Sequence, residues 1–130
     1  SGNLSNNLDA CTGEGCSQGF WKNHTSLWHR KYPPQAYYSN VFGIGPLDDN
    51  PTLRQVIEKE QQYISNMTNG ERNLGVQAVA ALQNAATSVK FDLTVQEVIG
   101  WVQEAYNGMK NMETVKNDLE GFNAYNHCPF

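Results

Sequence analysis

The sequence predicts an all-α fold: a compact bundle of about five helices in a single domain, residues 17–130, behind an extended N-terminal arm, residues 1–16. Two signals carry this expectation. Apolar side chains recur at three- and four-residue spacing, the pattern of a helix with one buried face. Capping residues stand directly ahead of those runs. The chain of 130 residues suits one core, and a hydrophobic content of 39% can fill it.

The arm is polar, rich in Gly and Asn, and shows no periodicity. Such a segment frays unless a disulfide or a neighbouring subunit holds it. Ser17 is placed to cap a first helix with the face Phe20, Trp21, His24, Leu27 and Trp28. Tyr32-Pro33-Pro34 stops it, because proline lacks an N–H and restricts the residue before it. Residues 35–50 read as irregular, with Gly43-Ile44-Gly45-Pro46 as loop chemistry. Asn50, followed by Pro51 at a first helical position, starts a second helix carrying Leu53, Val56, Ile57 and Ile64. It ends before an Asn69-Gly70 turn. A third helix spans about residues 71–88. Its Leu74, Ala78, Val79, Ala81, Leu82, Ala85 and Ala86 are small enough for neighbours to approach closely, which places it centrally. Thr94 and Glu97 form a capping box for the fourth helix, with Leu93 and Val98 as its staple. Its face is Val95, Val98, Ile99, Val102 and Tyr106, and Asn107-Gly108 ends it. Met112, Val115, Leu119 and Phe122 mark a fifth. No repeat or linker divides the chain.

Composition narrows the function. Net charge is −4 and the nine basic residues are scattered, which argues against nucleic acid and anionic membranes as partners. No apolar run approaches the ~20 residues of a membrane span. Only 17% of residues are charged, and Asn, Gln, Ser, Thr and Gly dominate the polar set, a surface typical of secreted proteins. Asn23-His24-Thr25 and Asn66-Met67-Thr68 are N-glycosylation sequons, with Asn66 the better acceptor because residues 65–70 read as an exposed loop.

No catalytic constellation stands out. Phosphate-loop, Gly-x-Ser-x-Gly and His-Glu-x-x-His patterns are absent. His24, among apolar neighbours at helical spacing, reads as a core residue, and His29 as solvent-facing. Asp48-Asp49-Asn50 does not fit a calcium loop, and the Asn50-Pro51 helix start explains it. No cofactor or metal is expected. The aromatic cluster Trp21, Trp28, Tyr32, Tyr37 and Tyr38 is the one unusual feature. Most of it belongs in a core this small. Any exposed remainder, with Trp28, Tyr37 and Tyr38 as candidates, would serve as an interface or a sugar-stacking platform.

Cys16-Ser17-Gln18-Gly19-Phe20-Trp21-Lys22-Asn23-His24 resembles the Cys-x-x-Gly-(Tyr/Phe)-Trp-Lys-x-His/Gln opening of an uncharacterised family of extracellular bacterial and archaeal surface domains. Val41-Phe42-Gly43, a helix start at Thr52-Leu53, residues 77–86, Thr94-Val95-Gln96-Glu97-Val98-Ile99 and the closing Asn126-His127-Cys128-Pro129 follow in the same order, so the resemblance covers about residues 16–130. The chain departs from it in Leu82-Gln83-Asn84, where a second Leu is common, and in lacking a Gly-rich run before the third helix. The resemblance implies an extracellular location, a helical fold and a clamp from Cys16 to Cys128. It implies no activity.

Three cysteines leave one thiol over in an oxidising compartment. Beside the pairing the resemblance implies, Cys11–Cys128 and Cys11–Cys16 stay open. If Cys16 closes the domain, Cys11 is a free thiol or an intermolecular cross-link. A Cys₃His zinc site from Cys11, Cys16, His127 and Cys128 is the rival, weakened by the adjacency of His127 and Cys128. The resulting expectation is a non-enzymatic, secreted or cell-surface domain that contacts itself or other surface proteins, in a fibre or layer. The alternative is an extracellular glycan-binding module built on exposed aromatics.

Overall fold

The computed structural model describes residues 13–124 and 127–130, which leaves Cys11 and most of the expected arm outside the described residues. Among the described residues seven α-helices follow in order: α1 (Gln18–Asn23), α2 (Tyr38–Phe42), α3 (Leu53–Ile57), α4 (Gln61–Ile64), α5 (Asn69–Ala86), α6 (Val95–Tyr106) and α7 (Met112–Asn123). A 3₁₀ turn at Thr25–Leu27 separates α1 from the irregular stretch before α2. Among the described residues no strand forms beyond two isolated bridges.

Helix α5 is the axis. All of its residues 74–84 are buried, and α1, α3, α6 and α7 pack on it. Its small residues permit this. A Cβ at Gly75 would stand 2.6 Å from Val56 Cγ1, so the bare backbone is what lets α3 lie so close. The core gathers Trp21, Tyr38, Phe42, Leu53, Ile57, Ile64, Leu74, Leu82 and Leu119, all essentially inaccessible.

The last two helices stand where capping and periodicity put them. Thr94 Oγ1 accepts from Glu97 N, and Glu97 reaches back to Thr94 N, completing the expected capping box. Asn111 caps α7 by accepting from Thr114 N. The first half of the chain differs from the five-helix expectation. The first helix stops at Asn23, because Trp28 Nε1 donates to the Trp21 carbonyl at 2.8 Å and takes an acceptor that a continuing helix would use. Leu27 is consequently exposed rather than on a buried face. Thr52, not Asn50, caps the next helix, through a capping box with Gln55. Asp49 and Asn50 instead turn the chain through two left-handed conformations, φ 64° and 42°. The expected second helix breaks in two, with Lys59 at φ 53° between α3 and α4. Asn69-Gly70 is not a turn but the first turn of α5, whose cap is Thr68 with Glu71 as box partner.

Four polar side chains run through the apolar core. Asn84 Oδ1 accepts from Cys16 N and from Trp21 Nε1, both at 2.9 Å. Its Nδ2 donates to the Cys16 carbonyl and to Asn123 Oδ1. Asn123 Nδ2 passes the chain on, donating to the backbone and side-chain oxygens of Gln77. Gln83 accepts from His29 N and donates to the Tyr32 carbonyl. Residues 13–16 are fastened at the same place. Gly15 N donates to the His127 carbonyl and Glu14 N to the Lys90 carbonyl. A Cβ at Gly15 would overlap the Phe122 carbonyl and crowd that of Asn123, both backbone atoms.

Two outcomes are expected in denaturant unfolding. Asn84→Ala strands the Cys16 and Trp21 donors and should cost about 3–5 kcal/mol, and a loss under ~1 kcal/mol would refute the role given to this amide. Gly15→Ala should cost roughly 2 kcal/mol by overpacking against backbone that cannot yield.

Candidate functional site

Cys16 and Cys128 are joined by a disulfide across 112 residues of chain, with their Cα atoms 4.7 Å apart. The bond fastens the segment entering α1 to the segment after α7. It also occupies two of the four ligands of the zinc set. Among the described residues no group of three or more His, Cys, Asp or Glu side chains is placed to hold a metal ion.

An aromatic stack is built on this clamp. Ser17 caps α1 by accepting from Phe20 N, which starts the helix immediately after the bonded cysteine. Helical spacing then sets Phe20 and His24 one turn apart, and their rings stack at 4.2 Å with 15° between planes. Beyond Cys128, the ring of Phe130 also stacks on Phe20, at 5.6 Å and 14°. Buried Trp21 supports both phenyl rings edge-on, at 5.1 and 5.9 Å. The result is a three-ring ladder, His24–Phe20–Phe130, whose Phe130 is 52% exposed. His24 is exposed as well, with Nδ1 2.8 Å from the Phe20 carbonyl, and is not the core residue its spacing suggests. His29 is half-buried.

Of the aromatics singled out from the sequence, Trp28 and Tyr38 are core side chains, at 7% and 0% exposure. Trp28 is drawn in by its hydrogen bond to Trp21 and Tyr38 by packing on Phe42. Tyr37 alone is exposed, at 46%. Sequence reasoning missed the ladder because Phe130 is remote from Phe20 in the chain. The Cys-Pro-Phe ending, paired with Cys-x-x-Gly-Phe, was the available signal. Asn23 is exposed at the end of α1, next to the ladder. Asn66 is exposed too, and donates to Asp49 Oδ2 at 3.3 Å.

A second feature lies between α2, α5 and α6. Tyr106, Glu71 and Gln103 line an open cavity of about 480 Å³ with loop 43–47. Tyr38 is buried behind it. Neither phenol oxygen, though each is enclosed, has a partner in hydrogen-bonding geometry among the described residues, although the two hydroxyls are close enough to influence one another. Burial, and then the neighbouring Tyr106 and Glu71, push the Tyr38 phenol well above its usual value near 10. Burial, and then Glu71, push the Tyr106 phenol up likewise. Both rings are therefore neutral across the physiological range.

Because the folded values are raised, the unfolded chain gives up these protons first as pH passes about 10. Stability that is intact below that pH is lost above it. Tyr38→Phe removes an unpartnered hydroxyl. It should leave stability at pH 7 unchanged or up to about 1 kcal/mol higher, and should flatten the alkaline loss. Denaturant titrations at neutral and alkaline pH check both, and a neutral-pH loss above ~2 kcal/mol would show the hydroxyl to be bonded.

No protein-family model, curated protein or solved structure matches this chain.

Proposed function

We propose that this chain is an extracellular, non-catalytic surface domain that binds copies of itself or neighbouring surface proteins, as a subunit of a fibre or layer. The observation that carries this reading is the ladder His24–Phe20–Phe130, with His24 and Phe130 exposed and Phe20 half-buried, built beside the disulfide. Aromatic rings held in place supply contact area with little further loss of side-chain freedom, and such residues dominate protein interfaces. The disulfide favours an oxidising compartment. No helix among the described residues is long and apolar enough to cross a membrane. The low charge, the two sequons and the resemblance to extracellular surface domains point the same way. Cys11, the cysteine outside the described pair, would add a covalent link between copies.

The exposed rings of His24 and Phe130 favour one other reading, an extracellular glycan-binding module. It would use these two in place of the core residues Trp28 and Tyr38.

Sedimentation equilibrium of unreduced protein decides between them. The oxidised chain should associate with rising concentration, and Phe130→Ala should weaken association about tenfold or more. A monomer at millimolar concentration would sink the self-assembly reading. A monomer whose binding on a glycan array is lost in Phe130→Ala would establish the second. Reduction should release Phe130 from the ladder and remove up to about 4–5 kcal/mol of loop-closure stabilisation, so association and thermal stability should fall together.

A further inference from the structure

A cavity of about 400 Å³ opens where α1, α3, α5 and α7 meet, on residues other than those of the ladder. Three lysines line it: Lys22 from α1, Lys59 after α3 and Lys116 from α7. Two carboxylates also line it, and both are ion-paired, Glu58 with an Arg54 that also reaches Glu60 at 3.2 Å and Glu120 with Lys116 of the lining itself. Glu58 lies 2.8 Å from Arg54 Nη1, and Glu120 lies 3.5 Å from Lys116 Nζ. Three ammonium groups against two carboxylates leave the lining one positive charge in a chain whose net charge is −4, with Lys22 and Lys59 outside any ion pair among the described residues.

The decisive group is Gln77, which is 7% exposed and lines the cavity. The direction of its amide follows from the hydrogen-bond chain behind it. A backbone N–H and an indole N–H can only donate, so Asn84 must turn Oδ1 toward Cys16 and Trp21. Its Nδ2 then donates to Asn123 Oδ1, which turns Asn123 Nδ2 toward Gln77 Oε1. The Gln77 oxygen is thereby used, and its N–H₂ group has no partner among the described residues. Asn73 repeats the logic. A lysine ammonium can only donate, so Asn73 turns Oδ1 to Lys59 at 3.1 Å, and its own N–H₂ has no partner among the described residues. Two oriented amide donors and surplus ammonium charge face a cavity of small-ligand size.

We propose that this cavity binds an acidic sugar through its carboxylate, with a hexuronate as the chemical class. The donors suit a carboxylate, and the neutral amides of Gln18, Asn73 and Gln77 suit ring hydroxyls beside it. Ile57 and Val76 give the sugar ring an apolar wall. A bare inorganic anion would leave most of the volume unused.

The test is an NMR titration of the oxidised, ¹⁵N-labelled full chain with glucuronate, glucose, acetate and inorganic phosphate in turn. Glucuronate should shift the side-chain amide pairs of Gln77 and Asn73 saturably, and bind about tenfold tighter than acetate or phosphate. Glucose should not shift them. Lys22→Gln, and separately Lys116→Gln, should weaken glucuronate binding about fivefold or more without altering the backbone spectrum elsewhere. No saturable shift at these amides, an equal response to glucose, or lysine variants with unchanged affinity would each overturn the proposal. Acetate or phosphate binding as tightly as glucuronate would overturn the assignment to a sugar.

Discussion

Asn84 is an amide at full hydrogen-bond capacity in a place that water does not reach. Its oxygen takes two donors and its nitrogen serves two acceptors, which join residue 16, α1, α5 and α7 at one point. Apolar packing tolerates small slips between helices, whereas four oriented bonds at one amide do not. The relative placement of these elements is set here. The disulfide adds a covalent tie to a segment that Asn84 already holds by its backbone.

Gln83, the adjacent residue on α5, does similar work on another face. It accepts from His29 N and donates to the Tyr32 carbonyl, serving a non-helical stretch whose buried backbone groups need partners. The central helix therefore has two functions. Its Ala and Gly side let neighbours close in, and its two amides satisfy the irregular chain laid against it. The early end of α1 makes sense in these terms, since Trp28 and the residues after it find their bonds on Trp21 and Gln83. The ladder and the basic cavity both inherit their geometry from this polar spine, one through Cys16 and the other through Gln77.

Much of the helical layout was legible in the chain. Helices α6 and α7 carry strong periodicity behind clear caps, and the small residues of α5 mark it as central. The losses have physical causes. Phe20 to Trp28 keeps helical spacing although a tertiary hydrogen bond ends the helix at Asn23. Thr52 and Thr68 each precede a box partner at the third position, but Asn50-Pro51 and Asn69-Gly70 were the louder local signals. The site was less legible. Gln83 and Asn84 stand where the family pattern that the chain resembles commonly has a second Leu, and these two amides are half of the spine. Which cysteine meets Cys128 was implied by resemblance, and the geometry places Cys16 there. Trp28 and Tyr38 looked available for contact because aromatic content does not reveal which rings a core will take.

The bond between Cys16 and Cys128 also has a mechanical meaning. Tension applied along the chain from outside this pair enters at one sulfur and leaves at the other. The load path is then a covalent short circuit, and the 112-residue separation between them carries no force. Helices α1 to α7 stay slack while the chain is taut, so the folded faces keep their shape under pull.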